Sequence, residues 1–134
     1  MLEQILCVDD DPITLMLCKK VIEKASFSAE IITVQNGEEA LNFFNELKNN
    51  KNSFKKPQLI FLDLNMPIMG GWEFLDNFTS SDYEEFNSIG IIVLSSTINP
   101  EDQAKAKKYP AVIDFLSKPI SKSMLEYLKN KMDL

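Results

Sequence analysis

The chain has 134 residues, of which 45% are hydrophobic and 25% charged, and these values fit one soluble globular domain with little room for a second. Its net charge of −6 argues against nonspecific binding to nucleic acid or to a membrane surface, and no apolar run approaches the roughly 18 residues of a membrane span. The absence of histidine excludes histidine-based acid–base catalysis. Two cysteines are too few for a disulfide framework, so we expect a reducing, cytoplasmic setting. The first ten residues lead directly into a predicted strand followed by acidic residues, so we expect no signal peptide.

The first half of the chain predicts two strands, each followed by an amphipathic helix. Residues 5–8 form an apolar run, after which Asp11 and Pro12 suit the cap and first turn of a helix that ends near residue 24. Residues 31–34 are predicted as the second strand and residues 38–48 as the second helix. The spacing of apolar side chains predicts the buried face of the first helix, namely Ile13, Leu17, Val21 and Ala25, with Met16 and Ile22 beside them.

The second half continues the alternation with three strands and three helices. The strands are predicted over residues 59–62, 91–94 and 111–116, and the helices over residues 71–78, 100–108 and 121–132. Helix 100–108 has only Ala104 and Ala106 as apolar members, so we expect it to bury little apolar area and to dock weakly. The connections 49–56 and 79–88 have no assigned role, although the second is long enough for a short extra helix.

Polar residues of one chemical set follow four of the apolar runs. They are Asp9 and Asp10, Asp63, Ser95 and Lys118. Continuous apolar runs are typical of parallel strands buried on both faces, and the carboxyl ends of such strands meet at one crevice. Three carboxylates, a hydroxyl and an ammonium gathered there suit a hard divalent cation and a phosphoryl group. In that setting the carboxylate of Asp63 can act as a nucleophile toward phosphorus.

Four motifs occur in order along nearly the whole chain. They are Val8-Asp9-Asp10-Asp11-Pro12, the segment 63–71 that begins Asp63-Leu64-Asn65-Met66-Pro67, Leu94-Ser95-Ser96, and Phe115-Leu116-Ser117-Lys118-Pro119. Together they resemble the signature of receiver domains of two-component response regulators, in particular the single-domain chemotaxis receivers. The resemblance covers residues 1–134 and implies a flavodoxin-like, doubly wound α/β fold, in which a five-stranded parallel sheet of order 2-1-3-4-5 carries five helices, with no output domain.

The resemblance also implies a function in phosphorelay signal transduction. Asp63 would accept a phosphoryl group from a histidine kinase or a histidine phosphotransfer protein, and the change would be passed to a downstream protein target. The chain would then be no enzyme beyond its own phosphorylation and dephosphorylation, with no direct nucleic-acid or membrane partner and with homodimer formation left open. The resemblance assigns Mg²⁺ to Asp9, Asp10, Asp63 and the backbone carbonyl of Asn65, the phosphoryl contacts to Ser95 and Lys118, and the conformational switch to Ser95 and Phe115.

Two departures from the family pattern and two alternative functions bear on this interpretation. Ser95 stands where threonine is commoner, and Gly70 replaces a more usual acidic or amide residue, which predicts a more mobile loop after Asp63.

Phosphoryl contacts would bias helix 100–108 between two arrangements and alter a surface near Tyr109. The alternatives are a Mg²⁺-dependent phosphohydrolase with an aspartyl nucleophile, whose second carboxylate would have to stand at Asn65, and a receiver-like interaction module that takes no phosphate.

Overall fold

The computed structural model describes residues 1–50 and 55–134, and its centre is a sheet of five parallel strands. The strands are β1 (Leu2–Val8), β2 (Ser28–Val34), β3 (Leu59–Asp63), β4 (Gly90–Ser95) and β5 (Val112–Ser117). They lie in the order β2-β1-β3-β4-β5, and every neighbouring pair is parallel. All residues of β3 are buried, as expected of a central strand that is covered on both faces. The predicted flavodoxin-like fold and its strand order are confirmed.

Five helices accompany these strands in the described part of the chain. They are α1 (Pro12–Lys24), α2 (Gly37–Asn49), α3 (Gly71–Phe78), α4 (Pro100–Ala106) and α5 (Lys122–Lys131), with a 3₁₀ segment at Ser81–Phe86. Four of the five begin after a side chain that accepts a hydrogen bond from a backbone N–H of the first turn, and these caps are Asp11, Asn36, Asn99 and Ser121. The described helices include none that combines the length and the apolar character needed to cross a bilayer.

The helices cover both faces of the sheet, because side chains of alternate residues in each strand point to opposite sides. In β3, Leu59 and Phe61 belong to a buried cluster that also contains side chains of α1 and α5. Ile60 and Leu62 belong to a second cluster, which contains side chains of α2 and α3. Since both faces are covered, the ends of the strands are where polar groups of the sheet reach solvent.

Several element boundaries differ from the predicted ones. β1 and β2 both start three residues before the predicted starts at residues 5 and 31. Polar side chains such as Gln4 and Ser28 occupy these first positions, so a rule that looks for apolar runs misses them. The helix predicted to end at residue 108 ends at Ala106, and only that alanine of α4 is buried.

The buried face of α1 also differs from the prediction. The side chains that α1 buries are Leu15, Cys18 and Ile22. Three residues predicted to face the core are exposed by 49 to 64%, namely Ile13, Met16 and Leu17. The physical reason is that a spacing of four residues advances by about 400° around a helix, so a stripe at this spacing drifts by about 40° at each step. Only the later members of the stripe, Val21 and Ala25, pack against the core.

The two connections without an assigned role contact each other. The short extra helix that residues 79–88 leave room for is present as the 3₁₀ segment Ser81–Phe86. Lys56 donates a hydrogen bond to the backbone carbonyl of Glu85, and Lys48 at the end of α2 donates to the carbonyl of Asp82. Residues 51–54 of the connection 49–56 lie outside the described residues.

Candidate functional site

Four of the predicted site residues come together at the carboxyl end of the sheet. Asp9 and Asp10 directly follow β1, and Asp63 is the last residue of β3. β1 and β3 are neighbours whose last apolar residues are in register, so the carboxylates start side by side. Lys118 directly follows β5 at the sheet edge, and its long side chain reaches across to these carboxylates. The strand ends therefore gather residues that are up to 109 positions apart in the sequence.

The three carboxylates form a group that is suited to a hard cation. One oxygen from each of Asp9, Asp10 and Asp63 lies within 4.8 Å of the other two. Asp9 and Asp63 are buried and Asp10 is exposed, so the group opens to solvent on the side of Asp10. An octahedral Mg²⁺ holds its oxygen ligands about 3.0 to 4.2 Å apart, so a small movement of the exposed side chain would close the set. The donor atoms are all oxygen, which fits Mg²⁺ rather than a thiolate-preferring metal.

Lys118 bridges two of the carboxylates. Its Nζ lies 2.6 Å from Oδ2 of Asp9 and 3.2 Å from Oδ1 of Asp63. Oδ1 of Asp63 also accepts a hydrogen bond from the backbone N–H of Leu64 at 2.9 Å. Both contacts fall on one oxygen, which leaves Oδ2 of Asp63 without a hydrogen-bond partner in the part of the chain that the structure describes.

Burial and neighbouring charges shift the pKa values of this pair. Burial raises the pKa of Asp63 above its usual range, and the nearby Asp9 adds to this effect, while Lys118 opposes it. Burial acts to lower the pKa of Lys118, but the hydrogen bonds and charges of Asp9 and Asp63 outweigh it and hold that pKa above its usual range. Asp63 therefore carries its negative charge at a free-energy cost, which a bound dication would relieve.

Ser95 lies at the same edge of the sheet, but its hydroxyl is bonded within its own loop. The residue is 1% exposed at the end of β4. Its Oγ donates to the carbonyl of Thr97 at 2.8 Å and accepts from the N–H of Thr97 at 3.3 Å. The hydroxyl has to give up these bonds before it can donate to a group on Asp63. Phe115 is half-buried on β5, and the switch roles of Ser95 and Phe115 stay predictions.

The loop after Asp63 is tied down by backbone contacts. A Cβ at Gly71 would lie 2.5 Å from the carbonyl oxygen of Asp63, so this position requires glycine. The carbonyl of Met69 accepts a hydrogen bond from the N–H of Gly37 at 2.8 Å. Ile68, directly before Met69, has a φ of 68°, a backbone conformation that a β-branched residue rarely adopts. The greater loop mobility expected from Gly70 stays a prediction. The metal contact expected from the backbone carbonyl of the exposed Asn65 also stays a prediction.

Sequence reasoning missed the exposed apolar side chains around this pocket. Ile13 and Leu17 project from α1, Ile68 from the loop after β3 and Ile98 from the loop after β4, and their exposed fractions range from 45 to 75%. Leu17 also lines a cleft of about 230 Å³ together with Lys118. Their apolar character is visible in the sequence, where the spacing of Ile13 and Leu17 predicts burial instead. Exposed apolar side chains at the same end of the sheet as an acidic pocket are typical of a surface that a protein partner covers.

A comparison with family models matches the response regulator receiver domain over residues 5–128. Among solved structures, a two-component response regulator from Cytophaga hutchinsonii is 33% identical with a TM-score of 0.87, and the match covers 99% of this chain and 98% of that one.

Curated relatives match this chain over very different shares of their own length. The chemotaxis protein CheY of Halobacterium salinarum is 26% identical over 122 residues, which are 91% of this chain and 89% of that protein. Hybrid signal transduction histidine kinase C of Dictyostelium discoideum is 28% identical over 134 residues, which are 97% of this chain and 10% of that kinase. The chain therefore spans only a tenth of the length of that kinase and a quarter of the length of another curated relative.

Proposed function

This chain belongs to the family of response regulator receiver domains, and from that premise we propose that it acts in a phosphorelay by accepting a phosphoryl group on Asp63. One observation carries the proposal. The buried carboxylate of Asp63 lies 3.2 Å from the ammonium of Lys118 and within 4.8 Å of the carboxylates of Asp9 and Asp10. A nucleophilic oxygen, a cation for a phosphate oxygen and a set of metal-binding oxygens are the parts that phosphoryl transfer needs.

The proposed metal is Mg²⁺, held by Asp9, Asp10, Asp63 and the backbone carbonyl of Asn65. When bound, it supplies positive charge against the phosphoryl oxygens and the carboxylates. Asp9 and Asp63 are buried, so their orientation is set by packing, whereas the exposed Asp10 is free to adjust to the ion. The proposal therefore assigns fixed positions to two ligands and an adaptable position to the third.

Oδ2 of Asp63 is the proposed attacking oxygen, because the contacts of Leu64 and Lys118 fall on Oδ1. A new bond forms between Oδ2 and phosphorus, the bond from phosphorus to the donor nitrogen breaks, and its electron pair leaves with that nitrogen. Lys118 then pairs with a phosphoryl oxygen, and Ser95 donates its hydroxyl to another after leaving Thr97. Inverting a two-state population from 1:99 to 99:1 takes about 5.5 kcal/mol of differential interaction energy. Two charge-assisted hydrogen bonds of roughly 1.5–3 kcal/mol each approach that value.

The donor in this proposal is a histidine kinase or a histidine phosphotransfer protein. The relationship to a hybrid histidine kinase supports this choice, and so do the exposed apolar residues at the same end of the sheet as the pocket. A donor protein that packs on Ile13, Leu17 and Ile68 would bury apolar area beside Asp63 and bring its phosphohistidine to the open side of the pocket. A cytoplasmic location, a downstream protein target, homodimer formation and the lack of other catalytic activity belong to the same proposal.

Incubation with acetyl phosphate and Mg²⁺, followed by intact-mass measurement, tests the acceptor. The wild-type protein should gain the mass of one labile phosphoryl group, and removal of Mg²⁺ with a chelator should prevent the gain. Asp63→Asn should gain none. The matched control is Asp114→Asn, since Asp114 lies on β5, pairs with Lys131 and has no role in the proposal.

Each of the other functions gives a different result in this assay. Continuous hydrolysis of acetyl phosphate without a stable adduct would favour the phosphohydrolase, and neither uptake nor turnover would favour an interaction module that takes no phosphate. Uptake by Asp63→Asn at the wild-type rate would refute the assignment of the acceptor.

A further inference from the structure

Helix α4 has little apolar contact with the rest of the protein. Of its seven residues, only Ala106 is buried. A helix that buries so little area needs other contacts to keep its position. The described contacts of α4 and of the turn after it supply them on the side of α3.

The first of these contacts is aromatic. Trp72 lies in the first turn of α3, and Tyr109 lies just after α4. Their rings stack with centroids 5.9 Å apart and an angle of 24° between the planes. The ammonium of Lys105, near the end of α4, lies 4.6 Å from the centroid of the Trp72 ring, which is within the range of a cation–π interaction.

The second contact is a hydrogen bond on the same face of α3. The hydroxyl of Tyr109 donates to Oδ1 of Asp76, with 2.5 Å between the oxygens. Asp76 stands four residues after Trp72, so the two side chains are neighbours on the helix surface. Burial and the hydrogen bond to Asp76 raise the pKa of Tyr109 to about 12, so the hydroxyl keeps its proton at physiological pH. We call Trp72, Asp76, Lys105 and Tyr109 the α3–α4 clamp.

The clamp is connected to the candidate site through the start of α4. Asn99 caps α4, and Thr97, two residues before it, holds the hydroxyl of Ser95 through both its carbonyl and its N–H. Any movement of Ser95 toward Asp63 releases Thr97, and with it the segment that leads into α4. The clamp lies at the other end of this helix, at Lys105 and Tyr109.

We propose that the α3–α4 clamp is a latch that holds α4 in its unphosphorylated position and opens when Ser95 turns to a phosphoryl group on Asp63. This inference rests on the proposed function of Asp63. Breaking the clamp releases the stacked face of Trp72 to solvent and frees the turn at Tyr109. The surface presented by α3 and α4 then differs between the two states, which gives a downstream protein a signal to read.

The single tryptophan of the chain allows a direct measurement, because Trp72 belongs to the clamp. The emission of the Mg²⁺-loaded wild-type protein is recorded before and after acetyl phosphate, and intact mass is measured on the same sample. We expect the emission maximum to move to longer wavelength in proportion to the phosphorylated fraction. Full phosphorylation with unchanged emission would overturn the latch and leave the role of Asp63 intact.

Tyr109→Phe tests the clamp itself, since it keeps the stacked ring and removes only the hydrogen bond. Loss of a hydrogen bond to a charged acceptor should shift the equilibrium toward the open position by about tenfold. We expect amide hydrogen exchange across Pro100–Ala106 to be faster by a similar factor in the unphosphorylated protein, and uptake from acetyl phosphate to be faster than in the wild type. The matched control is Tyr127→Phe, because Tyr127 also donates to an aspartate, Asp114, but its hydrogen bond joins α5 to β5 rather than α4 to α3.

The outcomes separate the latch from the acceptor. Unchanged α4 exchange in Tyr109→Phe, or equal acceleration in Tyr127→Phe, would refute the clamp whether or not Asp63 is phosphorylated. Failure of the wild-type protein to gain a phosphoryl group would refute the proposed function, and the exchange measurement would still decide whether the clamp holds α4.

Discussion

Ile68 offers a test of backbone strain beside the candidate site. Its φ of 68° lies in the left-handed region, and its side chain is 75% exposed. That conformation costs an L-residue about 1–2 kcal/mol, and exposure means that the isoleucine recovers little of this cost by burial. Asparagine tolerates the region, so Ile68→Asn should raise the free energy of unfolding by about 1 kcal/mol. Glycine would relieve the same strain but would return about 0.4–1 kcal/mol through a freer unfolded chain.

Thermal unfolding followed by circular dichroism measures this change. For a chain of this size, 1 kcal/mol corresponds to a rise in Tm of about 3–5 °C. The matched control is Ile98→Asn, since Ile98 is also exposed, at 45%, in a loop at the same end of the sheet, and has no positive φ. We expect the control to change stability by no more than about 0.5 kcal/mol. An Ile68→Asn variant that is no more stable than the wild type, or an equal gain in Ile98→Asn, would refute the strain argument.

The same variant tests why an apolar residue stands at a strained position. If Ile68 contacts the phosphoryl donor, Ile68→Asn should take up phosphate from acetyl phosphate at the wild-type rate and more slowly from a protein donor. Equal slowing with both donors would mean that the substitution disturbs the pocket itself.

Three further predictions concern charge and pH. The pKa of Asp63 is raised, so its negative charge costs stability at pH values above that pKa, and Asp63→Asn should be more stable than the wild type at pH 7 without Mg²⁺. In thermal melts, Mg²⁺ at 100 times its Kd should stabilise only the wild type, by about 2.7 kcal/mol. An equal effect of Mg²⁺ on both proteins would contradict this. Burial acts to raise the pKa of Asp114, but hydrogen bonds from Tyr127 and Lys131 outweigh it and hold that pKa below its usual range. The stabilising contribution of Asp114 is therefore present at neutral pH and is lost as the pH falls through that pKa. Asp114→Asn should flatten the acid side of a profile of stability against pH from urea melts, and an unchanged acid side would refute this. Tyr109 contributes stability that is lost as the pH rises from about 10 toward 12. A tyrosinate absorbance titration should therefore show a late step that Tyr109→Phe removes, and a titration without that step would refute this.

The sequence alone determined the order of the elements and the chemistry at the strand ends. Apolar runs such as residues 59–62 need burial on both faces, and cap residues such as Asn99 satisfy the free N–H groups at the start of a helix. Both kinds of signal lie within a few neighbouring residues, so strands and helix starts can be predicted locally. The topology of a parallel sheet then requires Asp9 and Asp63 to meet, because the carboxyl ends of adjacent strands share an edge.

Only the tertiary structure decided which side chains meet within that frame. The exposure of Ile13 depends on how α1 is rotated against the sheet, and the contact of Trp72 with Tyr109 joins residues 37 positions apart across two helices. The hydroxyl of Ser95 bonds to the carbonyl and the N–H of Thr97, a partner that the path of its own loop selects. Local patterns determine what a segment can form, whereas helix rotation, loop path and side-chain partners follow from the close packing of the whole domain.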